Sequence, residues 1–171
     1  MEIKKQLDPT LGALFTEAFE GESVSSWEGR IDLGLYGEEA PMTVVVTEEE
    51  DITDEHRDAF DEISSDPERY FRLAYQEVQF ELQDRPEKYG LSREAADIAV
   101  TLLGSGQGSE VLFDPLVVIH PGQDGQTCFG IGFKESQLDV QDGTGVLFLD
   151  GRPVAVLSLS QLLDLPEGVL E

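Results

Sequence analysis

The sequence predicts an α+β fold: a two-layer sandwich in which about three helices cover one face of a largely antiparallel sheet. Three observations carry this reading. Hydrophobic periodicity runs in the order strands, helices, strands. The 171 residues, 40% of them hydrophobic, suit a single domain spanning 1–171. The lone cysteine, Cys128, leaves no disulfide framework on which the fold could depend.

Residues 11–47 read as N-terminal strands: LGALF, WEGRIDLGLYG and PMTVVVT, separated by GESVSS and GEEA. Ile31, Leu33 and Leu35 alternate with Arg30, Asp32 and Gly34, the period of a half-buried strand. Val44, Val45 and Val46 suit a central strand, with Pro41 at its edge. Residues 53–103 switch to helical period. Thr53 is a plausible N-cap, Asp54 and Glu55 fill the first turn, and His56, Phe60 and Ile63 form the inner stripe. Asp66-Pro67-Glu68 restarts a helix whose Phe71, Ala74, Tyr75, Val78 and Leu82 recur at spacings of three and four, ending before Pro86. Ser92 caps a third, with Ala95, Ile98, Ala99 and Leu102 as its buried face and Gly104 as its exit. The segment 104–110, GSGQGSE, reads as a flexible loop. Strands return over 115–159, in PLVVIH, TCFGIGFK, GVLFL and PVAVLSL, with Asp150-Gly151 a tight-turn signal between the last two.

With 11 Lys plus Arg against 36 Asp plus Glu, the chain carries a formal charge of −25. No basic stripe is available to displace counterions, so direct nucleic-acid binding is not expected. One cysteine and two histidines offer no zinc-ligand cluster, and no cofactor is called for. The start lacks an apolar stretch long enough for a signal peptide, and no run of about 18 apolar residues could span a membrane. A cytoplasmic location is the expectation.

Three segments, DPTLGALF at 8–15, WEGRIDLGLYG at 27–37, and CFGIGFK through DGTGVLFLDGRPVAV at 128–156, resemble a bacterial domain-of-unknown-function family of two-layer α/β sandwiches. The shared positions are Leu11-Gly12, Trp27-x-Gly29 and Gly145-Val146. Members often carry Trp-Asp and then Glu-His-Gly where this chain has Phe133, Lys134 and Glu135, then Asp142-Gly143-Thr144-Gly145, so the histidine is missing. The resemblance implies a bacterial protein similar to the immunity proteins of polymorphic toxin systems.

Between Glu48 and Glu68, 11 of 21 residues are acidic and Arg57 is the one Lys or Arg. Asp54, Asp58 and Glu62 stand four apart, a like-charge series that costs roughly 0.2–0.5 kcal/mol per pair. With Glu55 and Asp61 they form the candidate binding face, which would steer a basic partner by long-range attraction. A merely solvated face, in a chain made soluble by charge or adapted to high salt, competes with that reading.

The remaining candidates are weaker. A calcium loop fails on spacing: with Gly143 as its glycine, earlier ligand slots fall on Leu138 and Val140, and neither Glu48–Asp51 nor Asp139 and Asp142 repair this. If Asp124-Gly125 closes a two-residue hairpin, His120 lies opposite Phe129 and Cys128 points to the other face, so no thiol–imidazole pair forms unless the register slips by one. The glycines of 104–110 neither follow a strand nor open a helix, so they make no phosphate loop. Trp27, Tyr70, Phe71 and Tyr75 are read as core.

The reading is therefore a non-enzymatic acidic binding protein, an immunity-type inhibitor that occludes a basic toxin domain such as a nuclease. No catalytic residue is assigned. Its rivals are a hydrolase using an unidentified carboxylate pair, a nucleic-acid mimic, and a salt-adapted housekeeping protein.

Overall fold

A computed structural model describes residues 1–34, 39–48, 50–138 and 142–170. Its centre is an open eight-stranded sheet whose spatial order follows the chain: β1 (Glu2–Asp8), β2 (Gly12–Ala18), β3 (Ser26–Asp32), β4 (Glu39–Val45), β5 (Leu112–Gln123), β6 (Gln126–Ser136), β7 (Thr144–Leu149) and β8 (Arg152–Leu157). Every neighbouring pair is antiparallel except β4 and β5. A parallel pair needs a long crossover. Here the crossover is the helical segment, α1 (Asp54–Ser65), α2 (Pro67–Asp84) and α3 (Arg93–Gly104).

Strand alternation divides the sheet into two chemically different faces. On one face Trp27, Met42, Val44, Val117, Ile119, Phe129, Ile131, Phe133 and Phe148 join α1 and α2 in the main core. Tyr70 meets Phe129 edge-on at 5.3 Å, and Phe129 stacks on Phe148 at 5.1 Å. Such offset and T-shaped pairs favour one packing over its alternatives. On the other face Leu116, Val118, Cys128 and Leu147 form a smaller cluster with Leu162.

That second cluster holds a helix the sequence reading lacks. α4 (Leu159–Leu163) begins at a capping box in which the Ser158 hydroxyl accepts from the Gln161 backbone N–H and the Gln161 side chain accepts from Ser158 N–H. It lies over Gly130 and Gly132, where an added Cβ would stand 2.3 Å from Leu162 and 2.4 Å from Leu159. The GIGF alternation of β6 thus presents phenylalanine to one helical layer and bare backbone to the other. The expected three-helix face differs accordingly: α1 and α2 lie on the sheet, α3 packs chiefly on α2, and α4 takes the opposite side.

Other expectations shift for identifiable reasons. β1 is an additional strand, paired with β2 from Glu2–Ala18 to Asp8–Gly12. In α1 the buried stripe is His56, Ala59 and Ile63, with Phe60 half-buried. In α3 it is Ala96, Ala99 and Leu103, while Ile98 and Ala95 face solvent. Two overlapping apolar stripes run along that helix, and contact with α2 selects between them. Within 104–110, Gly104 is the last residue of α3 and residues 108–110 make a 3-10 turn, where a Cβ on Gly108 would sit 2.5 Å from the Tyr75 ring. Ile31 and Leu33 are buried as their alternation predicts, and Leu35 lies outside the described residues.

The Asp124-Gly125 turn closes its hairpin as expected, Gln123 pairing with Gln126. Between His120 and Gln123, however, β5 bulges by one residue, so His120 pairs with Cys128 and the two side chains share a face. The expectation of opposite faces is corrected. Pro121 has no N–H for the ladder, and Gly122 lets the backbone come within 2.4 Å, measured from an added Cβ, of the Glu55 side chain on α1.

Candidate protein-binding face

The outer face of α1 is built by its N-terminus. His56 sits at the third helical position and is buried. Its Nδ1 accepts from the Thr53 backbone N–H at 3.0 Å, which places the proton on Nε2, where it donates to the Val45 carbonyl at 2.7 Å. This ties the start of the helix to the end of β4. Burial holds the His56 imidazole below its usual range despite the nearby Glu55 and Asp51 carboxylates.

Arg57 anchors the next position. Its guanidinium donates to Asp8 at 3.0 and 3.1 Å and to Asp54 at 2.9 Å. Asp8 also accepts from the backbone N–H groups of Thr10 and Leu11, fixing the β1–β2 turn. Burial alone would raise the Asp8 carboxyl, but these backbone bonds and Arg57 outweigh it and hold it below the ordinary carboxylate range.

The five candidate acids therefore separate. Asp54, Asp58 and Asp61 are exposed, whereas Glu55 and Glu62 are half-buried. Asp54 shares Arg57, and Glu62 accepts a hydrogen bond from the Thr127 hydroxyl. Among the described residues, Asp58 and Asp61 have no ion-pair partner. Nearby acids are engaged in structure: Asp51 accepts from the Trp27 indole N–H at 2.9 Å, and Asp66 caps α2. Glu49 lies outside the described residues.

Sequence reasoning missed how far the acidic surface extends. Glu62 reaches the strand ends, its carboxylate bonded to Thr127 and within 3.7 Å of a Cβ built on Gly151. There the two Asp-Gly turns project Asp124 and Asp150, both exposed and both at positive φ, 53° and 52°. Positive φ at both central residues is what a two-residue hairpin turn of this twist requires. The turns were visible in the sequence; their position beside α1 depends on the register of β5 and β6.

The other candidate chemistry is quiet. His120 is buried, donates from Nε2 to the Leu162 carbonyl at 2.7 Å, and is pushed down to about 4 by burial. Burial also pushes the Cys128 thiol up to about 11. At neutral pH both groups are uncharged, and among the described residues no hydrogen bond joins them. Asp142 accepts from the Ser160 backbone and hydroxyl, which commits it to the start of α4. Asp139 and Val140 lie outside the described residues. Among the described residues no cluster of three metal-ligating side chains occurs, and no helix is long and apolar enough to cross a membrane. A cavity of about 280 Å³ opens between Tyr89, Thr144, Leu157 and Gln161, with Lys88 at its edge held by Glu81 at 2.7 Å. No protein-family model, curated protein or solved structure matches the chain.

Proposed function

We propose that this chain is a cytoplasmic, non-enzymatic acidic binding protein that occludes a basic protein domain, in the manner of immunity proteins that inhibit toxin nucleases. The single observation that supports this best is the arrangement on α1. Its one arginine is drawn inward to Asp8 and Asp54, leaving Asp58 and Asp61 exposed without cations, flanked by Asp124 and Asp150 on the adjoining turns. A cleft that holds nucleic acid is lined with lysine and arginine, and carboxylates spaced along a rigid helix can meet those groups as phosphates would.

The test is differential capture at low and high salt, comparing the wild-type chain with D58N/D61N, followed by stopped-flow association with the recovered basic protein. A partner that binds wild type, is weakened by salt, and associates at least about tenfold more slowly with the variant supports the reading. Equal association of both chains overturns it.

A further inference from the structure

The attachment of α1 to the sheet runs through a titratable group. In a capping box the third helical residue is ordinarily Glu or Gln, whose side-chain oxygen reaches back to accept from the N-cap backbone N–H. Here that position holds His56, and its Nδ1 accepts from the Thr53 N–H at 3.0 Å, with the Thr53 hydroxyl 2.8 Å away. Only the neutral ring can do this, because a proton on Nδ1 turns the acceptor into a donor. The Thr53 hydroxyl can rotate to accept from that new N–H. The Thr53 backbone N–H cannot adapt, and is left facing another donor.

The surroundings oppose a charge on this ring. His56 is 1% exposed. Burial is the largest influence on it and Arg57 on its own helix acts the same way, while the Val45 carbonyl, Glu55, and Asp51 in the link from β4 act against them. From β5, the buried His120 imidazole repels a charge on the first. The positive end of the helix dipole adds to that repulsion. The balance keeps the ring neutral below its ordinary 6.5, so protonation comes with movement: to hydrate its charge, the ring must leave Val45. Among the described residues, the bonds from Arg57 to Asp8 are then the remaining polar tie between this turn and the sheet. We infer that His56 is an acid-release latch on α1: a proton taken up by the ring frees the first turn from β4 and loosens the helix that carries Asp58 and Asp61, so the acidic face is firm at neutral pH and lets go of a partner in acid. That regulatory use rests on the reading of α1 as the binding face; the latch itself does not.

Amide exchange of the free chain, read by NMR as protection factors from about pH 7.5 to about pH 5, tests the latch. The Thr53 N–H, bonded to His56 Nδ1, and the Arg57 N–H, bonded to the Thr53 carbonyl, are expected to lose protection by up to about tenfold per pH unit below 6.5. Both should exchange well ahead of the β6 amides, which open only with the sheet. His56→Gln and His56→Asn each supply an acceptor that does not titrate, and are expected to hold the protection of Thr53 and Arg57 constant relative to β6. Imidazole nitrogen shifts should show Nδ1 bare at neutral pH and protonated as that protection is lost. Constant protection in the wild type, an equal loss in both variants, or exchange of Thr53 and Arg57 no faster than β6 would each overturn the latch. With the basic protein recovered by capture, association at about pH 5 is expected to slow at least about twofold more for the wild type than for H56Q. Equal slowing of the two overturns the regulatory use. Capture of no basic protein at any pH overturns the proposed function instead, and leaves the exchange result to decide the latch.

Discussion

Asp58 is the residue on which the acidic face turns. Along α1 it has Asp54 and Glu62 four residues away and Glu55 and Asp61 three away, so every helical neighbour on its face is acidic. Each exposed like-charge pair costs roughly 0.2–0.5 kcal/mol, and four independent pairs would sum to about 1–2. The structure reduces that figure: Asp54 is shared with Arg57 and Glu62 is turned to Thr127. We therefore expect Asp58→Asn to stabilise the fold by about 0.5–1 kcal/mol at low ionic strength, raising Tm by about 1–4 °C for a chain of this size. The gain should fade in high salt, because exposed charges are screened over roughly 8–10 Å. Paired thermal melts across a salt series measure it. The same substitution at Asp54 or Glu62 should stabilise less, since each removes a hydrogen bond as well as a repulsion. A Tm for D58N that is unchanged or lower at low salt would refute the claim that this face is held at a cost to stability.

Acid should unfold the protein partly through His120. Its folded pKa is depressed from 6.5 to about 4, so the unfolded chain takes up the proton first, and stability is lost as pH falls from about 6.5 toward 4. At about 1.4 kcal/mol per unit this amounts to about 3 kcal/mol; urea melts across that range should show it, and a flat profile would contradict the burial of the imidazole. Cys128 should react with a thiol reagent in the native protein far more slowly than in the denatured chain, because burial keeps it protonated; comparable rates would place it at the surface. Gly130→Ala should destabilise by about 1–3 kcal/mol through its clash with Leu162, read by the same melts, and a neutral outcome would argue against the docking of α4.

The sequence displayed those parts of the fold whose local pattern and tertiary environment agree. α2 is the clearest case: cap, first-turn proline and a regular apolar stripe all point one way, and Phe71, Ala74, Tyr75, Val78 and Leu82 are buried as spaced. β1 was hidden for the opposite reason. Its apolar residues, Ile3 and Leu7, face solvent while Lys4 and Gln6 are half-buried and Asp8 is buried, so its alternation resembles no ordinary core strand. α4 could have been found from Ser158-Leu-Ser-Gln161, a capping box that a continuous strand through 159 obscured. The β5 bulge was signalled by Pro121-Gly122, residues that seldom leave a ladder undisturbed.

The candidate site was legible as composition and illegible as pairing. An acidic run on a helix can be read from spacing, but whether each carboxylate is free depends on partners distant in sequence: Asp8 draws Arg57 away from 49 positions upstream, and Thr127 engages Glu62 from 65 positions downstream. Those long-range contacts turn the regular series Asp54, Asp58, Glu62 into a face whose free centre is Asp58 and Asp61. They also set a physical limit on the face as an interface. A carboxylate already bonded within the protein must give up that bond to meet a partner's cation, whereas Asp58 and Asp61 give up only water. On the proposed interface, both encounter rate and binding energy should therefore depend most on Asp58 and Asp61, with Asp54 and Glu62 contributing less.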